Sequence, residues 1–245
     1  MKIDSQKLQW LSWVALATAV VAISLLAVAG PGARFGLWHF RVSFDLMRWG
    51  AYAGIAGAAL AVIAGSLRLS QRRPIFWCLV ALIMGGVAFG LPWHLRQVAR
   101  SVPPIHDITT DVGHPPEFVA ILPLRGQDSN PVAYEGAALA AQQQQAYPDL
   151  QPLVLEAALP QAAARALEAA KAMGWEIVDA NADQGRIEAT ATTFWFGFKD
   201  DVVIRVTAAD AGHSRVDVRS VSRVGKSDVG ANAARIRCYL GKLKP

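Results

Sequence analysis

Apolar residues fall into three long runs before residue 95 and into short, alternating stretches after it. The first run, Leu11 to Ala29, holds nineteen residues without a charge. A signal-peptide core is roughly 7–15 residues, whereas a helix crossing a bilayer needs about 20. The run therefore reads as a span, although Ala27 and Ala29 before Gly30 also fit a signal-peptidase site. Runs at Met47–Leu67 and Pro74–Trp93 carry no charge in their centres, so three transmembrane helices are expected, at about 8–29, 47–67 and 74–93. Gly50 with Gly54, and Gly86 with Gly90, have the small-xxx-small spacing that lets two helix backbones approach, which predicts close packing of the second and third spans.

After the third run the period changes. The stretch 103–118 is rich in proline and polar residues and predicts an extended connector lying on the domain that follows. Ala137–Ala146, with its run of glutamines, predicts a short surface helix or loop ending at Tyr147 and Pro148. A strand at Leu153–Glu156 then precedes a helix opened by Pro160 and closed by Gly174, with Ala163, Leu167, Ala170 and Met173 inward. Strands follow at Trp175–Asp179, Gly185–Phe196, Asp201–Thr207 and Arg215–Ser222, with turns short enough for an antiparallel meander. A last helix, started by Ser227 or Asp228, runs to Leu243 with Val229, Ala233, Ile236, Leu240 and Leu243 on one face. The expected fold is α+β, with a three-helix transmembrane unit at 1–95. An antiparallel-sheet domain with two packed helices, helix-grip-like, follows at 96–245.

Charge sharpens this division. Residues 1–95 hold eight Lys/Arg against Asp4 and Asp45, and residues 96–245 hold sixteen basic against seventeen acidic residues. The basic excess thus flanks the spans, the soluble domain is near neutral, and nucleic acid is not an expected partner. Counting cations at the span ends gives a tie between the two orientations. The dense Arg68–Arg73 loop breaks the tie in favour of a cytoplasmic loop there, which puts the C-terminal domain outside the cytoplasm. The expected location is a bacterial-type inner membrane with a periplasmic or extracytoplasmic domain. The two cysteines, Cys78 in a span and Cys238 near the end, offer no disulfide framework.

Candidate chemistry is sparse. His106–Asp107 and Asp111 with His114 have metal-ligand character, but they sit on a connector without further ligands, so no metal is expected. Ser220, Ser222 and Ser227 lack a nearby base in sequence, and the only histidine beyond the connector is His213 in a turn. Asp200 and Asp201 have the form of paired acids, yet at a strand entry they read as a turn with surface charge. No catalytic residue or cofactor is therefore expected. In the strands, Ile187, Ala189, Val202, Ile204, Val206, Val216 and Val218 alternate toward one face and Glu188, Arg205, Asp217, Arg219 and Arg223 toward the other. That second face is expected to pair its own charges, solvated or covered by the connector. The alternative is an anion or partner site, in which Arg219, Arg223 and Lys226 lead into a helix start formed by Ser227, Asp228 and Asn232.

The segments PPIHDITTD, AYPDLQPL, GWEIV, RIEAT, FGFKDDVVIRV and DVRSVSRVGKSDVGANAARI together resemble the domain of unknown function 1499, over about residues 103–242. Proteins of that kind often carry N-terminal membrane spans, and the resemblance implies no activity and no catalytic residues. The resulting expectation is a membrane-anchored binding or scaffolding domain, with the lipid bilayer and an envelope protein or anionic ligand as partners. The alternative is an envelope enzyme acting on lipid or saccharide.

Overall fold

The computed structural model describes residues 4–244. Its chain forms two compact units: one runs through Val98 and takes in Phe194–Gly197, and the other holds Ala99–Thr193 with Phe198 onward.

The first unit is built from α1 (Ser5–Arg34), α2 (Phe40–Ser70) and α3 (Phe76–Ser101), each long and apolar enough to cross a membrane. Helices α1 and α2 extend past the expected spans at both ends, and α3 starts slightly later than expected, at Phe76, but runs past its expected end to Ser101. Hydropathy marks only the apolar middle, whereas the helices run on through capped, polar ends such as Asp4, whose carboxylate accepts from the Gln6 N–H at 3.1 Å. Glycines set the packing, and two of the four expected, Gly50 and Gly54, are among them. A Cβ on Gly50 would sit 3.1 Å from the Ala22 carbonyl of α1, and one on Gly54 would sit 2.7 Å from the Gly85 carbonyl of α3. Gly86 and Gly90 instead face open space. One residue turns a helix by about 100°, so the contact face of α3 is Ala81, Gly85 and Ala88.

The second unit is an antiparallel sheet covered by helices. Strands β3 (Glu176–Asn181), β4 (Arg186–Thr192), β5 (Lys199–Ala208) and β6 (Ser214–Ser222) form the expected meander. Two short strands share the far edge of β6: β1 (Asp107–Thr109) pairs with Arg219–Val221 and β2 (Leu153–Leu155) with Ser214–Val216. The connector is thus partly a strand. Helices α5 (Leu159–Ala172) and α6 (Ala231–Leu243) cover the face carrying Ile187, Ala189, Val202, Ile204, Val206, Val216 and Val218. The inward face of α5 is almost all alanine (Ala162, Ala163, Ala166, Ala169, Ala170), with Leu167 and Met173 only partly buried. Small side chains leave room for the Tyr239 ring of α6, which stacks on Trp175 at 5.2 Å and donates to the Ala166 carbonyl at 2.9 Å.

Two strand ends differ from expectation. The strand expected to reach Phe196 stops at Thr192, because the chain turns: Thr193 N–H donates to the Phe198 carbonyl at 2.8 Å and Gly197 takes a φ of +69°. Asp200 and Asp201, expected in a turn, lie inside β5 and are buried.

Helix α4 (Ala137–Ala146) is more than a surface element. Its Gln143 is buried, donating Nε2–H to the Thr109 carbonyl at 2.6 Å and accepting the Thr109 N–H on Oε1 at 2.9 Å. The side-chain amide thereby completes the backbone pairing of β1 on its open edge. Replacing it leaves a buried peptide unit without partners, at about 1–3 kcal/mol. Gln143→Leu should lower unfolding free energy by that amount in denaturant titrations of the detergent-solubilised protein. An unchanged midpoint would mean that the β1 edge is satisfied in another way.

Candidate functional site

The polar face of the sheet is covered by the connector, and its charges are paired inside the protein. Alternation puts Arg215, Asp217, Arg219 and Arg223 of β6 and its extension on this face, beside Asp201 and Arg205 of β5 and Glu188 of β4. Arg219 is 2% exposed and makes a bidentate pair with Asp107 of β1, Nε at 2.9 Å and Nη2 at 2.7 Å. Its remaining donors reach the carbonyls of Pro116 (3.1 Å) and Val132 (2.6 Å), and its guanidinium lies over the rings of Phe118 and Tyr134. Burial pushes the Asp107 carboxyl above its ordinary value, with Arg219 pulling the other way. Burial, together with the Asp107 charge, pushes the Tyr134 hydroxyl up to about 12.

Asp201 is the second centre. Its carboxylate accepts from Arg223 (2.8 Å to Nη2), from the Thr190 hydroxyl (3.1 Å) and from Arg125. Arg223 and Arg125 in turn donate to the carbonyls of Leu124 and Asn130. Glu188, fully buried, accepts the backbone N–H groups of Val119, Ala120 and Ile121 at 2.9–3.1 Å. Asp111 of the connector receives Arg215 at 2.7 Å and Arg205 at 3.0 Å, and both arginines also pair with Asp217. Each of these carboxylates therefore ties the sheet to the chain between residues 103 and 132 or fixes an arginine that does.

The other sheet face carries a separate polar cluster at the start of α6. Ser220 donates to Asn232 Oδ1 at 2.7 Å, and Asn232 Nδ2 donates to Ser222 Oγ at 3.0 Å and to the His106 carbonyl at 2.9 Å. Arg235 pairs with Asp200. Asp228 accepts the N–H groups of Gly230 (2.8 Å) and Asn232 (2.7 Å), so it caps the helix from two residues before the Gly230 N-cap. Burial nonetheless holds its carboxyl above the ordinary value.

The six residues singled out in the sequence therefore do not converge. Arg219 and Arg223 lie on the connector face, whereas Asn232 and Asp228 lie with the even-numbered serines of β6 on the helix face. Ser227 donates no cap to α6, but its hydroxyl accepts the Val229 N–H at 3.1 Å, and Lys226 is exposed. Arg125, Arg235 and Gln143 were not anticipated as site residues. Asp107 was weighed only as a metal ligand beside His106, and its partner in the structure, Arg219, lies 112 residues away.

Beside Asp107, a cleft of about 240 Å³ is lined by Pro104, His106, Glu135 and Gln142. Small-molecule sites are usually about 300–1,000 Å³, so this one suits a small group at most. Among the described residues, no cluster of three or more His, Cys, Asp or Glu side chains is placed to hold a metal.

The family described as "Protein of unknown function (DUF1499)" matches residues 107–243, from the first residue of β1 to the last of α6. The chain belongs to that family. A comparison with curated proteins finds no match. The DUF1499 match begins at Asp107, so the ion pair to Arg219 and the strand that carries it lie inside the family domain.

Two predictions follow from the pairing of the DUF1499 domain. Arg219→Leu strands a buried carboxylate and should cost about 3–5 kcal/mol, while Asp107→Leu combined with Arg219→Leu should recover much of that loss. Denaturant unfolding of the two singles and the double measures the coupling, and additive effects would remove the pair from the structural argument. Asp111 supplies the pH dependence. Burial opposes its ionisation, but the His114 N–H, Arg215 and Arg205 outweigh burial and hold its carboxyl below the ordinary 3.8. A lowered pKa stabilises the fold above 3.8, and that contribution disappears as pH falls through the folded-state value. Asp111→Asn should therefore melt below wild type at neutral pH, and the gap should close on acidification.

Proposed function

We propose that this DUF1499 protein is a membrane-anchored binding or scaffolding domain on the extracytoplasmic side of a bacterial-type inner membrane. An envelope protein docks on its β6–α6 loop at Lys226, Ser227 and Val229. The observation that carries this reading is Val229. It is a β-branched residue with a φ of +55° and a side chain 40% exposed, next to the exposed Lys226. A left-handed conformation at such a residue is strained by about 1–3 kcal/mol, and strain of this kind collects in segments with a recognition role. The ion-pair network favours the same reading. Arg219 and Arg223 direct their donors to carboxylates and carbonyls of their own chain, so they act as clamps, and the exposed loop is left to meet a partner. The cleft beside His106 is small for a lipid or saccharide, which weighs against an envelope enzyme.

A photo-crosslinking residue at position 229, compared with one at exposed Gln144 of α4, tests the docking surface in intact membranes. A discrete adduct at 229 alone is expected. Val229→Gly should keep or raise the melting temperature by relieving strain while weakening the same association. A phosphate-dependent rise in melting temperature that vanishes in Lys226→Ala would replace the protein partner with an anionic ligand. Neither adduct nor shift would remove the loop as a site. For orientation, reporters fused after Pro245 and within the Arg68–Arg73 loop should report opposite sides, with the C-terminus outside the cytoplasm.

A further inference from the structure

Within the helical unit, a pocket of about 230 Å³ opens where the beginnings of α1 and α3 meet the end of α2. Its wall takes Gln9, Ser12 and Trp13 from α1, Arg68 from α2, and Trp77 and Cys78 from α3. One cation is fixed there. Arg68 donates Nε–H to the Pro74 carbonyl at 2.6 Å and Nη1–H to the Ser12 hydroxyl at 3.4 Å. The Ser12 hydroxyl is itself buried, donating to the Leu8 carbonyl at 3.0 Å and accepting from the Cys78 thiol at 3.4 Å. Helix α1 and the loop before α3 thus hold the guanidinium in place. Both of its acceptors are neutral, and among the described residues no carboxylate pairs with it. The buried arginines of the sheet differ, since Arg219 is matched to Asp107 and Arg223 to Asp201. A guanidinium has more N–H groups than these two contacts use, so donors are left for an anion.

The surroundings say which anion fits. Trp77 and Cys78 lie in the first turn of α3, where backbone N–H groups lack intrahelical acceptors and favour a phosphate. The mouth is basic: residues 4–13 and 66–78 hold Lys7, Arg68, Arg72 and Arg73 against Asp4 alone. Lys7, Arg72 and Arg73 are exposed. The rings of Trp13 and Trp77 stand 5.7 Å apart on the wall, and both are exposed. Tryptophan is enriched at the level of lipid headgroups, and basic pockets between membrane helices suit anionic ones. A free anion would gain nothing from the indoles, whereas the glycerol of a phospholipid would pack on them.

We propose that this pocket holds the phosphodiester of an anionic phospholipid, with Arg68 as its direct partner. The volume falls below the roughly 300–1,000 Å³ of ordinary small-molecule sites, so it takes the headgroup and leaves the acyl chains outside, along the helices. A headgroup without a cation of its own is selected, because choline would add positive charge to a mouth that is already basic. The inference is independent of the docking loop and rests on the three helices crossing a bilayer.

The full chain is purified in detergent and mixed with phosphatidylglycerol or phosphatidylcholine of the same acyl chains, and native mass spectrometry counts the lipids retained. Wild type should retain phosphatidylglycerol several-fold more, and Arg68→Gln should bring it down to the phosphatidylcholine level. Arg41→Gln, near the opposite end of α2 and about 40 Å away, should change nothing. Gln9→Glu leaves the contacts of Arg68 in place and adds a negative charge to the wall. It should also lower phosphatidylglycerol retention several-fold, and it decides the matter if Arg68→Gln fails to fold. Equal retention of the two lipids, or no loss in folded Arg68→Gln or in Gln9→Glu, would overturn the site. An equal loss in Arg41→Gln would overturn it in favour of general charge attraction. Displacement of the lipid by inorganic phosphate would assign the pocket to a free anion instead. Release of the wild-type chain from membranes by alkaline carbonate would overturn the spanning reading beneath it.

Discussion

The sheet unit depends on the buried pair between Asp107 and Arg219. Strand β1 has only three residues, too few to hold an edge by backbone bonds alone, and the chain before it comes from a membrane helix. The bidentate contact fixes β1 to β6 by side chains as well as by pairing, and Gln143 closes the edge that remains. The same guanidinium holds the carbonyls of Pro116 and Val132, so the connector and the loop that follows it are tied to one cation. Removing that cation would leave a carboxylate and two carbonyls without their donor at once, which makes the pair a single point of failure for the connector.

Parity along β6 divides the polar residues into two groups with different tasks. Odd-numbered positions meet the connector and even-numbered positions meet α6, so Arg219 and Ser220 are neighbours in sequence on opposite sides of the sheet. The connector group is ionic because it must hold a segment with little regular structure. The helix group is mostly neutral, with Ser220, Ser222 and Asn232 joined by hydrogen bonds and Arg235 matched to Asp200. Asn232 also accepts from Arg235 and donates to the His106 carbonyl, which links the start of α6 to the residue before β1.

Much of this fold was legible in the sequence because period and composition report it directly. Uncharged runs marked the three helices, alternation marked β3 to β6 and their buried valines, and the motifs around GWEIV and DVRSVSR carried the family. What was missed depends on contacts between distant residues. Asp200 and Asp201 look like a turn until Arg235, Arg125 and Arg223 arrive from elsewhere in the chain. Gln143 sits in a glutamine run that reads as solvated, and only the position of Thr109 gives it a task. The aromatic tip was read as strand because phenylalanine and tryptophan favour strands, and the turn is set by Thr193 and Gly197 instead. The candidate site was legible as a list of residues but not as an arrangement, since whether Arg219 and Asn232 share a face is decided by where α6 packs.

The ionic layer also does something that the valines of the sheet cannot. On the core face, Val202, Ile204 and Val206 of β5 meet Ser220, Val218 and Val216 of β6. A slip of one residue would turn this face outward and is excluded by burial, but a slip of two would keep valines inside at modest cost. The charged face is sensitive to that second error. In the native register Arg205 of β5 stands opposite Asp217 of β6, and a two-residue slip in either direction would set it opposite Arg215 or Arg219. Asp217 would lose a partner while buried, and two arginines would face each other under the connector. Buried ion pairs often contribute little net stability compared with apolar packing, so their value here lies in choosing one register among those that hydrophobicity permits. On the other side of β6, the pairing with β1 puts Arg219 opposite Thr109 and Val221 opposite Asp107, one pleat apart, where the Arg219 guanidinium can reach the Asp107 carboxylate.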